Sequence, residues 1–429
     1  MIPAIEQASL HEIKQLQEQK LKETLVYLSE NSPYYKALFA KNEVNIHSIK
    51  TIEDLQQIPV TTKTDLQENN DDFFCVPMHK IIDYATTSGT LGNPVTFGLT
   101  DKDLDRLAYN EAISFACAGL KEGDVVQLMT TLDRKFMAGL AYFLGLRKLG
   151  AGVIRVGAGI PELQWDSIQK YNPKYLIAVP SFLLKMIEFA ENNHIDYNAS
   201  SVKGVICIGE SLRNQDFSSS VLAEKITAKW NVQLFSTYAS TEMSTAFTEC
   251  QQLKGGHHHP ELIITEVLDD NNRPVAEGES GELTITTLGV EAMPLLRFKT
   301  GDIVKLHAEP CLCGRNTMRV GPVVGRKQHM IKYKGTTLYP PAMHDSLTYF
   351  EAIQNHVIEI STNDLGTDEI LIKIAAKENT EDLLTQIKDH FRAKLRVTPK
   401  VEFVPADVLN KIVFSPMSRK PTHFIDKRN

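Results

Sequence analysis

Short β-rich runs alternate with helical segments through the middle of this 429-residue chain, and this alternation constrains its fold most strongly. Between residues 123 and 240 the β-rich runs are GDVVQLMT, GVIRVG, YLIAVP, VKGVICIG and VQLFSTY. The segments between them, such as SFLLKMIEFAENN, have apolar residues at helical spacing. Strands that alternate with helices favour parallel pairing with helices on the faces of the sheet. The sequence therefore predicts an α/β fold with mainly parallel sheets.

The pattern changes after Arg326, which predicts a second domain. A helix near AMHDSLTYF, strands at VIEIST and EILIKIAAK, a helix over TEDLLTQIKDHFRAKL and a strand at VEFVP follow there. At roughly 150 residues per domain, the length of the chain also favours more than one domain. We expect a large multi-layer N-terminal domain over residues 1–326 and a small, mobile α+β domain over residues 327–429.

Composition excludes several classes of partner. The formal net charge is −7, from 46 basic and 53 acidic residues, which gives no electrostatic reason to expect nucleic acid or an anionic membrane as partner. The N-terminal stretch MIPAIEQASLHEIKQ lacks a basic segment followed by an apolar run, and no stretch approaches the 18 or so apolar residues of a membrane span. We expect a cytoplasmic protein.

The stretch ATTSGTLGNPVTFGLT, residues 85–100, combines hydroxyl residues with glycines. Its glycines tolerate positive φ, so backbone N–H groups and the hydroxyls of Thr87, Ser88 and Thr90 can turn toward an anion. This composition predicts a loop that binds a triphosphate. The alternative is a polar hairpin turn between two strands.

A second polar cluster lies at the end of the β-rich run VQLFSTY. Tyr238, Ala239, Ser240, Thr241 and Glu242 bring an aromatic ring, hydroxyls and a carboxylate to the place where open α/β sheets bind ligands. The alternative is a strand end with capping side chains.

Cysteines and histidines suggest a metal site. Cys250 precedes the run GGHHHP, residues 255–260, and Cys311 and Cys313 follow in CLCGR. Thiolates and imidazoles suit tetrahedral zinc, and a site filled by four protein ligands would be structural. Spacing leaves open which of His257, His258 and His259 is the ligand. The alternative is reduced thiols beside solvent-exposed histidines.

Several blocks in order resemble the adenylate-forming superfamily of acyl-coenzyme A synthetases, and within it phenylacetate:coenzyme A ligase and its relatives. The blocks are NSPYYKALF, IPVTTKTDLQEN, TTSGTLGNP, IGES, TYASTE, GELTITTLGVEAMPLLRFKTGDIVKL, CLCGRNTMRVGPVVGR and KGTTLYPPAMHDSL. The resemblance covers nearly the whole chain.

The resemblance implies a nucleotide site. It places the phosphates on the glycine loop, the adenine on IGES and Tyr238, the ribose on Asp302, and an arginine at the nucleotide just before a hinge. A carboxylate can accept both ribose hydroxyls, although Asp302 could also be a turn residue after Gly301. The implied nucleotide-binding residues are Thr87, Ser88, Gly89, Thr90, Gly92, Gly209, Glu210, Ser211, Tyr238, Ala239, Ser240, Thr241, Asp302 and Arg326.

The resemblance also implies catalytic and metal-binding residues. Glu242 resembles the family's magnesium carboxylate, Thr90 lies in the phosphate loop, and Lys420 in SRKPTHF resembles its catalytic lysine. Arg419 replaces the glycine usual before that lysine, so Lys411 is the nearest competitor. The best match by spacing to the family's cysteine and histidine positions is the zinc set Cys250, His257, Cys311 and Cys313.

The implied function is ATP-dependent acid–thiol ligation. A carboxylic acid, aryl or arylacetic by resemblance, would form an acyl-adenylate with release of pyrophosphate, and coenzyme A would then displace AMP. The implied cofactors are ATP, Mg²⁺, coenzyme A and structural Zn²⁺, and a homodimer is left open. Phe136, Gly139 and Ala239 are candidates for the acid pocket. Two alternatives remain, a carrier-protein phosphopantetheine as acceptor and an inactive, zinc-stapled binding protein.

Overall fold

The computed structural model describes residues 2–87, 95–333, 336–363, 367–414 and 421–428. Contacts within the chain separate two compact units. The first comprises Met1–Ser219, Ala223–Thr300 and Val304–Pro322, and the second comprises Ser220–Leu222, Gly301–Ile303 and Val323–Asn429. The domain boundary expected after Arg326 stays a prediction.

Several helices of the first 230 residues begin at a residue whose side chain caps the helix. Ser9 and Thr100 each form a capping box with the acidic residue three positions later. Ser32 ends one helix and caps the next, in which Pro33 is the first residue, as expected from the fixed φ of proline. The helices are α1 Ala4–Gln7, α2 Leu10–Asn31, α3 Pro33–Lys41, α4 Lys63–Glu68, α5 Asp101–Cys117, α6 Met137–Leu149, α7 Pro161–Tyr171, α8 Pro180–Asn192 and α9 Val221–Thr227.

The strands up to residue 320 include every β-rich run noted in the sequence between residues 123 and 240. They are β1 Asp83–Thr86, β2 Thr96–Leu99, β3 Val125–Leu128, β4 Gly152–Arg155, β5 Tyr175–Ala178, β6 Gly204–Ile208, β7 Gln233–Ser240, β8 Thr245–Glu249, β9 Gly256–His257, β10 Ile263–Leu268, β11 Gly281–Thr287, β12 Phe298–Val304, β13 Leu306–His307 and β14 Arg319–Val320.

A nine-stranded sheet with the order β13-β14-β9-β8-β7-β6-β5-β3-β4 forms the centre of the first unit. The α/β class is confirmed. Parallel pairing joins β4, β3, β5, β6 and β7, where helices supply the crossovers. From β7 onward the pairing is antiparallel, because a short turn joins β7 to β8 and a turn of that length cannot return a strand in parallel.

The core of the first unit packs helices α5 and α6 against the parallel half of this sheet. Phe115 and Leu146 from the helices meet Val126, Ile177 and Ile206 from the strands, and all five side chains are buried. Strands β5 and β6 are buried at every residue. Because central parallel strands are buried in this way, their sequences are continuous apolar runs.

The second unit is an α+β structure around an antiparallel pair of strands, Ile353–Thr362 and Asp368–Ala376, with two further strands added in parallel at its edges. The helix Ala406–Val413 and the strand Phe424–Asp426 follow the expected closing strand and were not predicted. The elements are β15 Gly325–Arg326, β16 Ile331–Tyr333, β17 Thr336–Leu338, α10 Pro340–Thr348, β18 Ile353–Thr362, β19 Asp368–Ala376, α11 Glu381–Leu395, β20 Lys400–Phe403, α12 Ala406–Val413 and β21 Phe424–Asp426. In the described part of the chain, no helix has the length and apolar character needed to cross a membrane.

Candidate functional site

The end of strand β7 holds the polar cluster that the sequence singled out. Tyr238, Ala239 and Ser240 belong to the strand, and the Tyr238 ring stacks on Phe247 of β8 with 6.0 Å between ring centroids. The Ser240 hydroxyl accepts the Met243 N–H at 3.2 Å, which closes a tight turn after the strand. This turn fixes the backbone position of Glu242.

The Glu242 carboxylate is partly buried and lies beside a lysine. Its side chain is 13% exposed, and Lys63 Nζ lies 3.8 Å from Oε1. Magnesium in nucleotide sites is commonly bound by one or two carboxylates together with substrate phosphates, and a single carboxylate oxygen at a strand end fits that donor set. Glu242 could therefore hold magnesium with a bound triphosphate.

The glycine loop connects an antiparallel hairpin. Thr86 pairs with Thr96 in the β1–β2 ladder, and the Thr87 hydroxyl accepts the Val95 N–H at 3.1 Å. The two strands flanking the loop therefore form a hairpin, as the alternative to a phosphate-binding loop predicted. Ser88, Gly89, Thr90 and Gly92 lie outside the described residues, so phosphate binding by the loop stays a prediction.

The IGES segment follows strand β6, and Gly209 adopts a φ of 78°, which favours glycine. The Glu210 carboxylate accepts the Ser181 N–H and the Ser181 hydroxyl, both at 2.8 Å, at the start of helix α8. The Ser211 hydroxyl donates to the Arg213 carbonyl at 3.0 Å. Sequence reasoning did not anticipate that the Glu210 side chain binds a helix start, where a carboxylate is favourable.

Asp302 and Arg326 come together in the second unit. They are opposite each other in the pairing of β12 with β15, and Arg326 Nε lies 3.3 Å from Asp302 Oδ1. Asp302 is only 8% exposed, whereas the arginine is exposed. Asp302 is a strand residue with an ion-pair partner. It is not the solvated turn residue that the alternative predicted.

One residue suggested for the acid pocket does not face open space. A Cβ atom at Gly139 would lie 2.0 Å from the carbonyl oxygen of Thr131. Glycine is required there because helix α6 packs directly on the preceding loop. The suggestion that Gly139 lines the acid pocket stays a prediction.

Cys250, His257, Cys311 and Cys313 form a compact cluster whose ligand atoms all lie within 4.8 Å of one another. The Cys250 and Cys311 sulfurs are 3.6 Å apart, and Cys313 Sγ lies 3.4 Å from His257 Nε2. Three sulfurs and one imidazole nitrogen are a donor set typical of structural zinc. The structure brings together the four residues that the resemblance implied as the zinc set, and these residues could hold a metal.

Side chains behind the cluster orient its members. Thr317 Oγ1 lies 3.2 Å from His257 Nδ1, which leaves Nε2 directed at Cys313, as is usual for metal-binding histidines. Arg315 donates to Cys313 Sγ at 3.5 Å. Hydrogen bonds with Cys250, His257 and Arg315 lower the pKa of the Cys313 thiol, which favours the thiolate that a metal binds.

Each histidine of the HHH run has a different partner, and all three are buried. His258 donates from Nε2 to the Ile263 carbonyl at 2.7 Å, and burial lowers its pKa to about 4. His259 contacts Glu6 Oε1 at 2.6 Å through Nδ1 and Ser114 through Nε2. The alternative of a solvent-exposed histidine run is therefore wrong, and His257 is the member of the run that faces the thiols.

The lysines of the C-terminal segment remain undecided. Lys420 lies outside the described residues, and its catalytic role stays a prediction. Lys411, its competitor, is exposed on helix α12.

Comparison with known proteins agrees with this geometry. Residues 5–292 match the family of AMP-binding enzymes. The chain is 30% identical to phenylacetate-coenzyme A ligase of Escherichia coli over 390 residues, which span 88% of this chain and 85% of that protein. It is 29% identical to phenylacetate-coenzyme A ligase of Thermus thermophilus over 381 residues, with 88% and 84% covered.

A crystal structure of 2-hydroxyisobutyryl-CoA ligase in the postadenylation state has the same fold. The TM-score is 0.85 at 24% identity, and the match covers 99% of this chain and 92% of that one. The family match extends over more than half of the chain, and the Escherichia coli relative is matched over most of its length. This chain therefore belongs to the AMP-binding enzyme family of adenylate-forming acyl-CoA ligases.

Proposed function

We propose that this protein activates an aryl or arylacetic acid with ATP and transfers the acyl group to coenzyme A. The observation that carries the proposal is the position of Glu242, a partly buried carboxylate in a tight turn at the end of β7, in a chain of this family. The names of the relatives support both an arylacetic acid and coenzyme A as the acceptor. A cytoplasmic location and a homodimer remain proposals.

In the first half-reaction the acid oxygen attacks the α-phosphorus of ATP, and the bond to pyrophosphate breaks. Asp302 would hold the ribose hydroxyls, Arg326 and the backbone of Gly209–Ser211 would contact the nucleotide, and Lys420 would face the developing charge. Magnesium, when bound at Glu242, would neutralise phosphate charge. The protein's own contribution is positioning and charge stabilisation, since the chemistry needs no side-chain nucleophile.

In the second half-reaction the coenzyme A thiol attacks the acyl carbon, and the bond from that carbon to the AMP phosphate breaks. One site that performs both steps must rearrange between them, and a small C-terminal domain, hinged near Arg326 to Gln328, would provide that movement.

The four-residue cluster is proposed to bind one structural zinc. Its three sulfurs and one imidazole fill a tetrahedral site and leave no position for substrate. Such a metal would join the loop of Cys311 and Cys313 to strands β8 and β9, and it takes no part in either half-reaction.

The acid would lie beside the turn that holds Glu242. A cavity of about 10 Å³, the size of roughly one water molecule, is lined there by Phe97, Met137, Ser244 and Met293 among other residues. An aryl ring therefore requires side chains to move, and the two methionines are flexible enough to do so. The lining combines these apolar side chains with Asp103 and Arg106, whose charged groups are hydrogen-bonded to the surrounding chain.

The test is pyrophosphate exchange over a panel of aryl, arylacetic and short aliphatic acids. We expect exchange with at least one aromatic acid and thioester formation when free coenzyme A is added. Glu242→Gln should abolish exchange while leaving the melting temperature nearly unchanged, because it removes one anionic oxygen without changing the side-chain volume. Near-normal pyrophosphate release by this variant would contradict the magnesium role. Exchange without a thioester from coenzyme A would favour a carrier-protein acceptor.

A further inference from the structure

Lys63 is the first residue of helix α4 and belongs to the block IPVTTKTDLQEN. The proposed function assigns no role to this block. Thr61, two residues earlier, is fully buried and hydrogen-bonded to the chain around the start of β12. Its N–H donates to the Arg297 carbonyl at 3.0 Å, its hydroxyl donates to the Leu296 carbonyl at 2.9 Å, and its carbonyl accepts the Lys299 N–H at 2.8 Å. The backbone that leads to Lys63 is therefore fixed.

The start of helix α4 is fixed as well. Thr62 and Asp65 form a capping box, in which the Asp65 carboxylate accepts the Thr62 N–H at 2.8 Å and the Thr62 hydroxyl at 2.6 Å. Because the Asp65 carboxylate is already hydrogen-bonded to Thr62, the capping box forms without any contribution from the charge of Lys63. The helix start would be equally well capped with an uncharged residue at position 63.

A cation is electrostatically misplaced at the first residue of a helix, where exposed N–H groups favour anions. Within the described part of the chain, Glu242 is the only carboxylate that lies within 4.0 Å of Lys63 Nζ. The separation of 3.8 Å is longer than a hydrogen bond, and the lysine side chain is 34% exposed. The Lys63 ammonium and the Glu242 carboxylate are therefore close to each other but do not form a hydrogen bond.

A purely structural explanation is weak for this pair. Partly exposed ion pairs contribute little to stability, and this one lacks hydrogen-bond geometry. A fixed backbone that places an ammonium 3.8 Å from the Glu242 carboxylate is better explained by a ligand that bears negative charge.

Glu242 would hold magnesium together with the phosphates of ATP, so the phosphates would lie close to its carboxylate. Lys63 Nζ lies 3.8 Å from the same carboxylate. We propose that Lys63 is a further catalytic residue, whose ammonium turns from Glu242 to the β- and γ-phosphates of ATP and stabilises the departing pyrophosphate. This inference rests on the proposed function.

Equilibrium binding tests the inference independently of turnover. Isothermal titration calorimetry with magnesium present would compare ATP, pyrophosphate and AMP on the wild type, Lys63→Met and Lys63→Arg. We expect Lys63→Met to weaken ATP and pyrophosphate binding by about tenfold or more, the effect of losing a hydrogen bond to a charged group, and to leave AMP binding unchanged. Lys63→Arg should recover most of the loss, because it restores the positive charge.

Lys14→Met is the matched control, since it also removes one lysine from a surface ion pair, with Glu53 at 2.7 Å, and should change none of the three affinities. Equal loss of ATP and AMP binding in Lys63→Met, or no loss in either, would overturn the role of Lys63 while leaving the nucleotide site intact. A wild-type protein that binds neither nucleotide would overturn the proposed function itself.

Discussion

Glu111 is a carboxyl group enclosed between helices α5 and α6. It is 4% exposed, and a Cβ atom at Gly145 of α6 would lie 2.2 Å from its own Cβ. Oε1 accepts the Asn110 side-chain amide at 3.0 Å, and Oε2 has no hydrogen-bond partner in the described part of the chain. Burial disfavours the ionised form and raises the pKa of Glu111 to about 8.

This raised pKa predicts a pH-dependent stability. Between pH 4.5 and 8 the folded protein binds a proton at Glu111 that the unfolded chain releases, so this group lowers the free energy of unfolding as pH rises, by up to about 1.4 kcal/mol per pH unit. Glu111→Gln should remove this contribution and stabilise the protein at pH 8 relative to the wild type. Chemical denaturation at pH 5, 6.5 and 8 measures the effect.

The control for this experiment is Glu188→Gln on helix α8, which removes an exposed glutamate and should leave the pH dependence unchanged. A pH profile that is identical in the wild type and Glu111→Gln would show that Glu111 is ionised in the folded protein.

Asp302 has a partner before any nucleotide binds, and this determines what its loss should do. The ion pair with Arg326 orients one carboxylate oxygen, and the proposed ribose contact would use the carboxylate as a double acceptor. Asp302→Ala should raise the ATP concentration needed for pyrophosphate exchange about ten- to hundredfold, the effect of losing a hydrogen bond to a charged group. The requirement for the acid should change little.

Steady-state exchange, measured with ATP and the acid varied in turn, checks this expectation. Asp302→Asn is the informative companion variant, because it keeps the size of the side chain and removes its charge. An ATP requirement that stays the same in Asp302→Ala would contradict the ribose assignment.

At the scale of elements, the Cys/His cluster unites segments that are far apart in sequence. Cys250 directly follows β8, His257 ends β9, and Cys311 and Cys313 lie between β13 and β14. Strand β9 has only two residues, and its pairing with β8 and β14 provides few backbone hydrogen bonds. A metal at the cluster would hold together an edge of the sheet that pairing alone holds weakly.

Replacing Cys311 and Cys313 by serine should therefore remove the metal and lower the melting temperature, because a closed structural site adds its binding free energy to folding. Elemental analysis of protein purified without chelator should find about one zinc per wild-type chain and none in the double variant. Cys207→Ser is the control, since Cys207 is buried in β6 outside the cluster. Wild-type protein without stoichiometric metal would refute the zinc proposal.

At the scale of the whole molecule, the residues proposed to act on the nucleotide are divided between the two compact units. The second unit contains Asp302 and Arg326 as well as the C-terminal α+β structure, whereas the first contains Tyr238 and Glu242. The proposed mechanism requires the C-terminal domain to rearrange between adenylation and thioester formation.

The role proposed for Lys420 tests this mechanism. Lys420→Ala should slow acyl-adenylate formation on the order of 10²- to 10³-fold, because a preorganised donor at developing charge is lost. Thioester formation from supplied acyl-adenylate should continue at nearly the wild-type rate, since that step needs access for the thiol and no such cation. The two half-reactions are measured separately by pyrophosphate release and by thioester yield.

Lys411→Ala on helix α12 is the control, because Lys411 is the competing candidate for the same role. If Lys420→Ala slowed both half-reactions equally, or neither, the lysine would be misassigned and the two-state mechanism would lose its main support.

Local pattern in the sequence determined the elements and the class of fold. Apolar spacing predicted α5, α6, α8 and α11, and β-rich runs predicted β3 to β7, because these elements bury faces whose periodicity is visible in the sequence. Helix α12 and strand β21 were missed, since each is short and β21 has only three residues to display a pattern. The antiparallel half of the large sheet was not predicted because pairing direction depends on connections between strands.

The resemblance to the family's cysteine and histidine positions implied the ligand set of the metal cluster, but only the tertiary structure showed that His257, and not His258 or His259, faces the thiols. The three histidines are adjacent in sequence and identical in chemistry, and their neighbours, the thiols, the Ile263 carbonyl and Glu6, come from distant segments. The pairing of Lys63 with Glu242 likewise joins residues far apart in the chain. The sequence by itself determined which chemical groups the protein has. Only the tertiary structure decided which of these groups are in contact, because contacts between distant segments leave no periodic pattern in the sequence.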